Sequence, residues 1–265
     1  MNHLPRTSGN VGPRSLRLPA VSEVAVCSKP DLERLLPAAL AAARFRRGTY
    51  GLVLVKPNVC GLYHPDLQII RQVLQYFGPV ADRIVVGETE SMMYTPRVQF
   101  RRLGIEPLAE EFGNVEVMDL THENVSHVQV QNGHAVTSLP FSGVVRDCDL
   151  LVNVPKAGTH TGSRLTCALK NLFGLVAEDA KHGVYHPLGI EKVIADVSQA
   201  VRCDLNVADV GEKVLVGRDP LTVDMVACRF VGLDPLEVEH LRLVSAYRGF
   251  GLEDTLNRLV TINLS

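Results

Sequence analysis

The feature that most constrains the fold is a series of short runs of Val, Leu and Ile along the chain. Each run is nearly continuous in apolar character, which is what a sheet covered on both faces requires. The segments predicted to be buried strands are EVAVCS (23–28), YGLVLVKPN (50–58), RIVVGE (83–88), VEVMDL (115–120), DLLVNVP (149–155) and DLNVADV (204–210).

Helical patterns lie between these strands. After the second run, apolar residues recur at helical spacing and stop before Gly78; they are Leu67, Ile70, Leu74 and Phe77. Alternation of strands and helices predicts an α/β fold with right-handed crossovers. We therefore expect a mostly parallel (mixed) sheet with helices on both faces.

One segment departs from this alternation. HVQVQNGHAVTSLPF alternates apolar and polar residues around Asn132-Gly133, a pair typical of a type I′ hairpin turn. We expect a small antiparallel flap or edge there, inserted at about residues 121–142. The chain shows no internal repeat or clear linker, so residues 23–265 are predicted to form a single domain after a flexible segment, residues 1–22.

Composition narrows the functional class. Hydrophobic residues make up 46% and charged residues 21% of the chain, and the net charge is −2. These values argue against nucleic acid or an anionic membrane as the main partner. No apolar run approaches the roughly 20 residues that span a bilayer, and the N-terminus lacks an apolar signal core. Six scattered cysteines without a C-x-x-C pair favour reduced thiols and a cytoplasmic protein.

Polar and charged side chains gather where three predicted strands end. Lys56 and Asn58 lie at the end of the second strand, Gly87, Glu88 and Thr89 at the end of the third, and the polar segment KAGTHTGSR (156–164) follows the fifth. Ligands of open α/β sheets bind at the carboxyl ends of the strands. If these strands are neighbours, the polar groups converge on one crevice.

The segment after the fifth strand has the pattern of a strand followed by a helix. The core-facing residues at helical spacing are Leu165, Ala168, Leu169 and Leu172. Free amides and a partial positive charge at the N-terminus of such a helix suit a small anion. Ordinary helix capping is the alternative interpretation of the same residues.

Three histidines accompany these groups and allow two kinds of site. His160, His182 and His186 are close enough in sequence to bind a metal, although Gly183 and Pro187 interrupt a helical pair of ligands. Proton transfer by histidine and lysine requires only that the side chains converge in a partly dry pocket. The sequence requires no cofactor, and a metal stays open.

These residues, in this order, resemble the prokaryotic family known as domain of unknown function 362. The resemblance runs through VLVKPN (53–58), DLLVNVPKAGTHTGSRLTCALKNLFGLV (149–176) and GRDPLTVDMVACRFVGLDP (217–235), and covers roughly residues 50–250. The positions that match the family pattern are Lys56, Pro57, Asn58, Lys156, Thr159, His160, Thr166, Lys170, Asn171, Lys181, His186 and Asp224.

The chain departs from that family pattern at two places. Ala157-Gly158 stands where relatives usually have a leucine or similar residue and a second lysine, so the expected site has one cation fewer. A cysteine-rich ferredoxin-like segment, which many relatives carry, is missing from the sequence, and this weakens a redox interpretation.

More loosely, the predicted arrangement of strands and strand-end residues resembles the N-terminal half of nickel-pincer lactate racemases, in which strand-end His and Lys residues surround a small carboxylate. That resemblance favours proton chemistry beside a carboxylate over nucleophilic hydrolysis. A G-x-S-x-G nucleophile elbow is also missing from the sequence.

The leading hypothesis is an enzyme that performs acid–base chemistry, of isomerase, epimerase or lyase type, on a small substrate bearing a carboxylate or phosphate. The expected catalytic residues are His160, Lys170, Lys181 and His186. The expected substrate-binding residues are Lys56, Asn58, Lys156, Thr159, Thr161, Ser163, Thr166 and Asn171.

Two alternatives stay open. A metal- or iron–sulfur-associated redox protein would use His160, His182, His186 or Cys167. A non-catalytic module would bind a nucleotide or peptide and leave it chemically unchanged. The expected partner of the protein is a small anionic molecule or a modified peptide, and a homodimer is also open.

Overall fold

A computed structural model describes residues 22–265 of the chain. The predicted flexible segment lies outside the described residues except for Ser22, which begins the first strand. The strands are β1 (Ser22–Ser28), β2 (Tyr50–Pro57), β3 (Ala81–Glu88), β4 (Val115–Asp119), β5 (Ser126–Gln129), β6 (Ser138–Phe141), β7 (Leu150–Val154), β8 (Gly158–His160), β9 (Arg164–Thr166), β10 (Leu205–Asp209), β11 (Lys213–Gly217) and β12 (Leu259–Asn263).

Helices connect most of these strands. They are α1 (Leu32–Ala42), α2 (Leu67–Phe77), α3 (Pro96–Arg102), α4 (Ile105–Glu110), α5 (Gly143–Asp147), α6 (Ala168–Phe173), α7 (Lys181–Tyr185), α8 (Ile190–Ala200), α9 (Pro220–Phe230), α10 (Glu239–Tyr247) and α11 (Leu252–Asn257). Short 3₁₀ turns cover Gly78–Val80, His186–Leu188 and Pro235–Glu237.

The central element is an eight-stranded sheet with the strand order β12-β1-β11-β10-β7-β2-β3-β4. Pairs from β10 through β7, β2 and β3 to β4 are parallel, and β1 pairs with β12 in parallel. β11 runs antiparallel to both of its neighbours. The sheet is therefore mixed and mostly parallel, as predicted.

Both faces of this sheet are covered by helices. Val53 and Val55 of β2 belong to the core that contains Ile70 of α2, whereas Leu54 belongs to the core that contains Leu169 of α6. Successive residues of a strand point to opposite faces, so one continuous apolar run supplies both cores. The predicted α/β class is confirmed.

The strand order changes direction beside β2. The chain passes from β2 to β3 and β4 on one side, and it returns to β7 and β10 on the other side. Such a change opens a crevice at the carboxyl ends of the flanking strands. The residues that follow β2, β3 and β7 therefore meet at one edge of the sheet.

The hairpin prediction at residues 121–142 is correct in its strands and wrong in its turn. β5 and β6 pair antiparallel as a separate two-stranded sheet. Neither Asn132 nor Gly133 has the positive φ that a type I′ turn requires. The amide of Val130 instead donates to the carbonyl of Thr137 across a wider loop (2.8 Å).

Asp196 of α8 explains that wider loop. Its carboxylate accepts hydrogen bonds from the amides of His134 (2.7 Å), Ala135 (2.8 Å) and Val136 (3.0 Å). A side chain that is distant in sequence thus accepts hydrogen bonds from loop amides, which in a tight hairpin would depend on acceptors within the hairpin itself.

The helix predicted from the residues after β7 begins later than its apolar spacing indicates. β8 and β9 first form a short antiparallel hairpin, and α6 starts only at Ala168. Leu165, which the spacing places on the helix, lies in β9 and is fully buried. The starting point is set by Asp224 of α9, whose carboxylate accepts from the amides of Ala168 (2.6 Å) and Leu169 (2.9 Å).

All six cysteines are free thiols and fall within the described part of the chain. Burial raises the pKa of Cys27 to about 11 and that of Cys148 to about 12, so both thiols stay protonated near neutral pH. None of the helices in residues 22–265 is both long and apolar enough to cross a lipid bilayer.

Replacing Asp196 with Ala is expected to lower the free energy of unfolding by about 1–3 kcal/mol, because three loop amides lose their acceptor. Asp147, an exposed residue of α5, provides the control, and Asp147→Ala is expected to change stability by less than about 0.5 kcal/mol. Urea unfolding followed by circular dichroism measures both variants. Equal effects would contradict the role given to Asp196.

Candidate functional site

A pocket of about 420 Å³ opens at the carboxyl ends of β2 and β3 and beside the β8–β9 hairpin. Sites for small molecules typically enclose about 300–1,000 Å³, so this volume suits a small ligand. The predicted site residues that line it are Asn58, His160, Thr161, Thr166, Lys170, Asn171, Lys181 and His186.

A buried ion pair joins the pocket wall to the protein interior, with Glu88 lining the pocket and Lys56 behind it. The Nζ of Lys56 donates to Glu88 Oε2 (2.9 Å), Asn171 Oδ1 (3.0 Å) and the carbonyl of Pro57 (3.0 Å). An ammonium has three N–H donors, so all those of Lys56 are used within the protein. Lys56, expected to bind substrate, is instead fully buried and supports two residues that line the pocket.

Asn171 joins this pair to the centre of the sheet. Its Nδ2 donates to the carbonyl of Lys56 (3.0 Å) and to Asn153 Oδ1 (2.7 Å). The Nδ2 of Asn153 in turn donates to Asn206 Oδ1 (2.9 Å). Buried amides satisfied in this way hold each other in one orientation. The network therefore fixes the inner wall of the pocket to β2, β7 and β10.

Gly174 allows the ion pair to pack against the chain that follows α6. A Cβ at this position would lie 2.9 Å from Lys56 Nζ and 3.0 Å from Glu88 Oε1. Contacts this short displace a neighbouring group, and both neighbours here are charged and buried. Glycine is therefore required by close approach rather than by an unusual backbone angle.

Lys181 reaches the pocket from α7 and is almost fully buried. Its Nζ donates to Thr89 Oγ1, and that hydroxyl donates to the carbonyl of Gly174 (2.5 Å). Burial lowers the pKa of Lys181 to about 8; Glu88 opposes this shift and Lys56 adds to it. The ammonium keeps donors that no acceptor in residues 22–265 takes up.

Lys170 of α6 is the other cation of the pocket. Its Nζ lies 4.4 Å from the ring centroid of Phe173 and has no hydrogen-bond acceptor among residues 22–265. Burial, followed by the charges of Lys181 and Lys56, lowers its pKa to about 8. Glu88 pairs with Lys56, and no carboxylate forms an ion pair with Lys170 within the described residues.

The tautomer of His160 follows from its hydrogen bonds. Its Nδ1 accepts from the amides of Gly162 (3.0 Å) and Ser163 (3.1 Å), so this nitrogen carries a lone pair and not a proton. The neutral ring must then carry its proton on Nε2. Burial of the ring, followed by the charge of Lys170, lowers the pKa of His160. His160 is thus a neutral donor in the pocket wall.

His182 and His186 form a stacked pair, with ring centroids 3.9 Å apart. Burial, followed by the neighbouring His182 and Lys170, lowers the pKa of His186 to about 4, so this ring is uncharged near neutral pH. In residues 22–265 no three His, Cys, Asp or Glu side chains are grouped as ligands for a metal. The three histidines of the alternative metal site are therefore not gathered as one ligand set.

Other expected binding residues lie away from the pocket wall. Lys156 forms an ion pair with Asp209 (2.8 Å), and Thr159 of β8 is exposed. Ser163 is buried, and its hydroxyl donates to the carbonyl of Leu165 (3.0 Å). The N-terminus of α6, expected to bind an anion, is capped by Asp224. The capping interpretation is therefore the correct one at that helix.

Glu88 and Thr89 line the pocket, as expected of residues at a strand end, although the sequence assigns them no catalytic or substrate-binding role. Their signal is their place at the carboxyl end of β3, next to the strand that carries Lys56. The apolar residues at the mouth of the pocket are not predicted by the sequence patterns. They are Leu62, Tyr63, Met92, Met93 and Tyr94, which lie in loops without a sequence pattern.

The strand-end residues of this α/β sheet match one protein family. The family model described as Domain of unknown function (DUF362) covers residues 53–229, and the chain belongs to that family. This confirms the family that the motifs around Lys56 and Lys170 predict. No curated protein matches the chain in sequence.

Among solved structures, the chain is similar to the lactate racemase apoprotein from Thermoanaerobacterium thermosaccharolyticum, with a TM-score of 0.49 and 14% identity. The similarity covers 78% of this chain and 56% of that chain. The chain thus spans little more than half the length of that protein. The looser resemblance to lactate racemases expected from the sequence corresponds to this weak structural similarity.

Replacing Lys170 with Met is expected to raise the free energy of unfolding at pH 7 by about 1–3 kcal/mol. The pKa of Lys170 is about 8 in the folded protein and near the ordinary value of about 10.4 after unfolding. At pH values between these two pKa values, folding releases a proton from Lys170. Below pH 8 the amine is charged in both the folded and the unfolded protein, so the full cost of burying the charge is present. As pH rises above 8, the advantage of the variant shrinks.

Urea unfolding at several values between about pH 6.5 and pH 9.5 measures this difference. The exposed Lys192 supplies the control, because Lys192→Met removes a charge that lies outside the pocket wall. A stability difference between Lys170→Met and the unmodified protein that did not change with pH would contradict the account of this lysine.

Proposed function

We propose that this protein is an enzyme of isomerase, epimerase or lyase type that moves protons on a small anionic substrate. The observation that carries the proposal is Lys170, a partly enclosed amine with a pKa of about 8 and no acceptor in the described protein. Groups tuned close to the working pH are typical of proton-transfer sites.

The charge balance of the pocket supports an anionic substrate. Glu88 lines the pocket but is paired with Lys56 behind it, while Lys170 and Lys181 have no carboxylate hydrogen-bonded to them within residues 22–265. A carboxylate or phosphate that enters the pocket provides the missing negative charge, and it does so where little water screens the attraction. Lys181 is the anchor in this proposal, because Thr89 holds its Nζ in place.

The remaining groups suit proton transfer next to that anion. Near pH 8 the amine of Lys170 changes readily between its protonated and neutral forms, as a general acid or base must. His160 has a different role from the expected one. Because its Nδ1 is occupied by two amides, its Nε2–H can donate to an oxygen on which negative charge develops.

Deuterium exchange tests the proposal across several classes of anionic compound at once. The purified protein is incubated in D₂O with 2-hydroxy acids, 2-amino acids, phosphate esters and a bacterial metabolite extract. Mass spectrometry then follows deuterium at carbon. We expect incorporation into at least one anionic compound, and we expect Lys170→Met to reduce the rate by about 100-fold or more, in line with loss of a general acid–base group.

The control variant and the alternatives give distinct outcomes. Lys192→Met should retain the exchange rate. If compounds bind, as shown by ligand-observed NMR, but none of them gains deuterium, the protein is a binding module and the proposal is wrong. Elemental analysis of the same preparation separates the redox alternative, because an active preparation free of metal eliminates it.

A further inference from the structure

We infer that the substrate is amphiphilic, with an anionic head in the pocket and an apolar tail at its mouth. The inference rests on the anion site of the proposed function and adds the class of molecule that the site takes. Its starting point is the mouth, where Leu62, Met92 and Met93 are 80%, 68% and 72% exposed. No other large hydrophobic residue in the described range is as exposed as these three.

These three side chains come from the loops that follow β2 and β3, the strands that carry Lys56 and Glu88. Leu62 lies between β2 and α2, and Met92 and Met93 lie between β3 and α3. Scattered single apolar residues are ordinary on a protein surface, but a cluster around a pocket marks a binding surface. The mouth and the two lysines of the pocket therefore belong to one site.

The loop of the two methionines is an ordered turn. The amide of Ser91 donates to the carbonyl of Tyr94 (3.0 Å), and the amide of Tyr94 donates back to the carbonyl of Ser91 (3.3 Å). This reciprocal pair closes the turn with Met92 and Met93 at its tip. The exposure of both side chains is thus a consequence of the backbone geometry.

The opposite loop is also held in place. Glu88 Oε2 accepts from the amides of Val59 (3.3 Å) and Cys60 (3.5 Å), which ties the start of this loop to the buried ion pair. The ring of Tyr63 packs on Gly158, where a Cβ would lie 2.6 Å from the ring. Leu62 therefore lies between Cys60 and Tyr63, and both of these residues are held by contacts with other parts of the protein.

Charge and polarity change along the pocket in one direction. Of the lining residues, Lys181 is almost fully buried and Lys170 is partly enclosed, whereas Leu62, Met92 and Met93 are exposed and form the mouth. A short hydrophilic acid would leave the apolar mouth in water. A molecule with an anionic head and a tail of several carbons covers it, and unbranched methionines adapt their shape to such chains.

The test compares the affinities of butyrate, hexanoate and octanoate for the full chain by isothermal titration calorimetry. Each methylene that moves from water onto an apolar surface tightens binding, although burial at an open mouth is incomplete. We expect octanoate to bind about tenfold more tightly than butyrate or better. Met92→Ser combined with Met93→Ser should lower the affinity for octanoate severalfold more than the affinity for butyrate, because Leu62 alone then covers the tail.

Two further variants separate the head from the tail. Val98→Ser changes an exposed residue of α3 outside the pocket wall and should leave all three affinities unchanged. Lys170→Met should weaken the three acids by the same factor, because each has the same head.

The inference and the proposed function fail in different ways. Equal affinity for the three acids, with dependence on Lys170, overturns the amphiphilic substrate and leaves the anion site intact. Tighter binding of octanoate without any deuterium exchange supports the inference and overturns the catalytic proposal. Absence of binding by all three acids overturns the inference. A change in oligomeric state caused by the methionine substitutions, measured by sedimentation, overturns it in favour of a surface between two copies of the chain.

Discussion

The arrangement of the pocket depends on one buried ion pair, between Lys56 at the end of β2 and Glu88 at the end of β3. Two charges without water are costly unless every donor and acceptor finds a partner. The Nζ of Lys56 also donates to Asn171 and to the carbonyl of Pro57. Glu88 accepts from the amide of Thr89 in the loop after β3 and from the amide of Val59 in the loop after β2. The pair thereby connects two strands, α6 and both loops at the mouth.

The same pair determines the electrostatics of the pocket. Because Glu88 is committed to Lys56, the amines of Lys170 and Lys181 share a confined space without a carboxylate that pairs with either of them in residues 22–265. Burial and mutual repulsion then lower the pKa of Lys170 to about 8. The Lys56–Glu88 pair therefore sets the charge state of the neighbouring amines, which is the condition that the proposed anion binding and proton transfer require.

Much of the fold could be predicted from local patterns, because strands buried on both faces need continuous apolar runs. β12 lacks such a run since it lies at the sheet edge and is only half-buried.

The roles of particular polar residues depended on distant partners. Asp224 caps α6 from about 55 positions away in the chain, and Lys56 resembles an exposed strand-end lysine until Glu88 is placed beside it. Such contacts form because the strand order brings distant parts of the chain together, so the sequence around either partner does not predict them.

A double-mutant cycle of Lys56→Met and Glu88→Gln, measured by urea unfolding, tests the central claim most directly. Each single substitution leaves a buried polar partner unsatisfied and should cost about 3–5 kcal/mol. The double variant should cost less than the sum of the single variants, with a coupling energy of about 2 kcal/mol or more. Single effects that add within about 0.5 kcal/mol would contradict the claim that this pair organises the site.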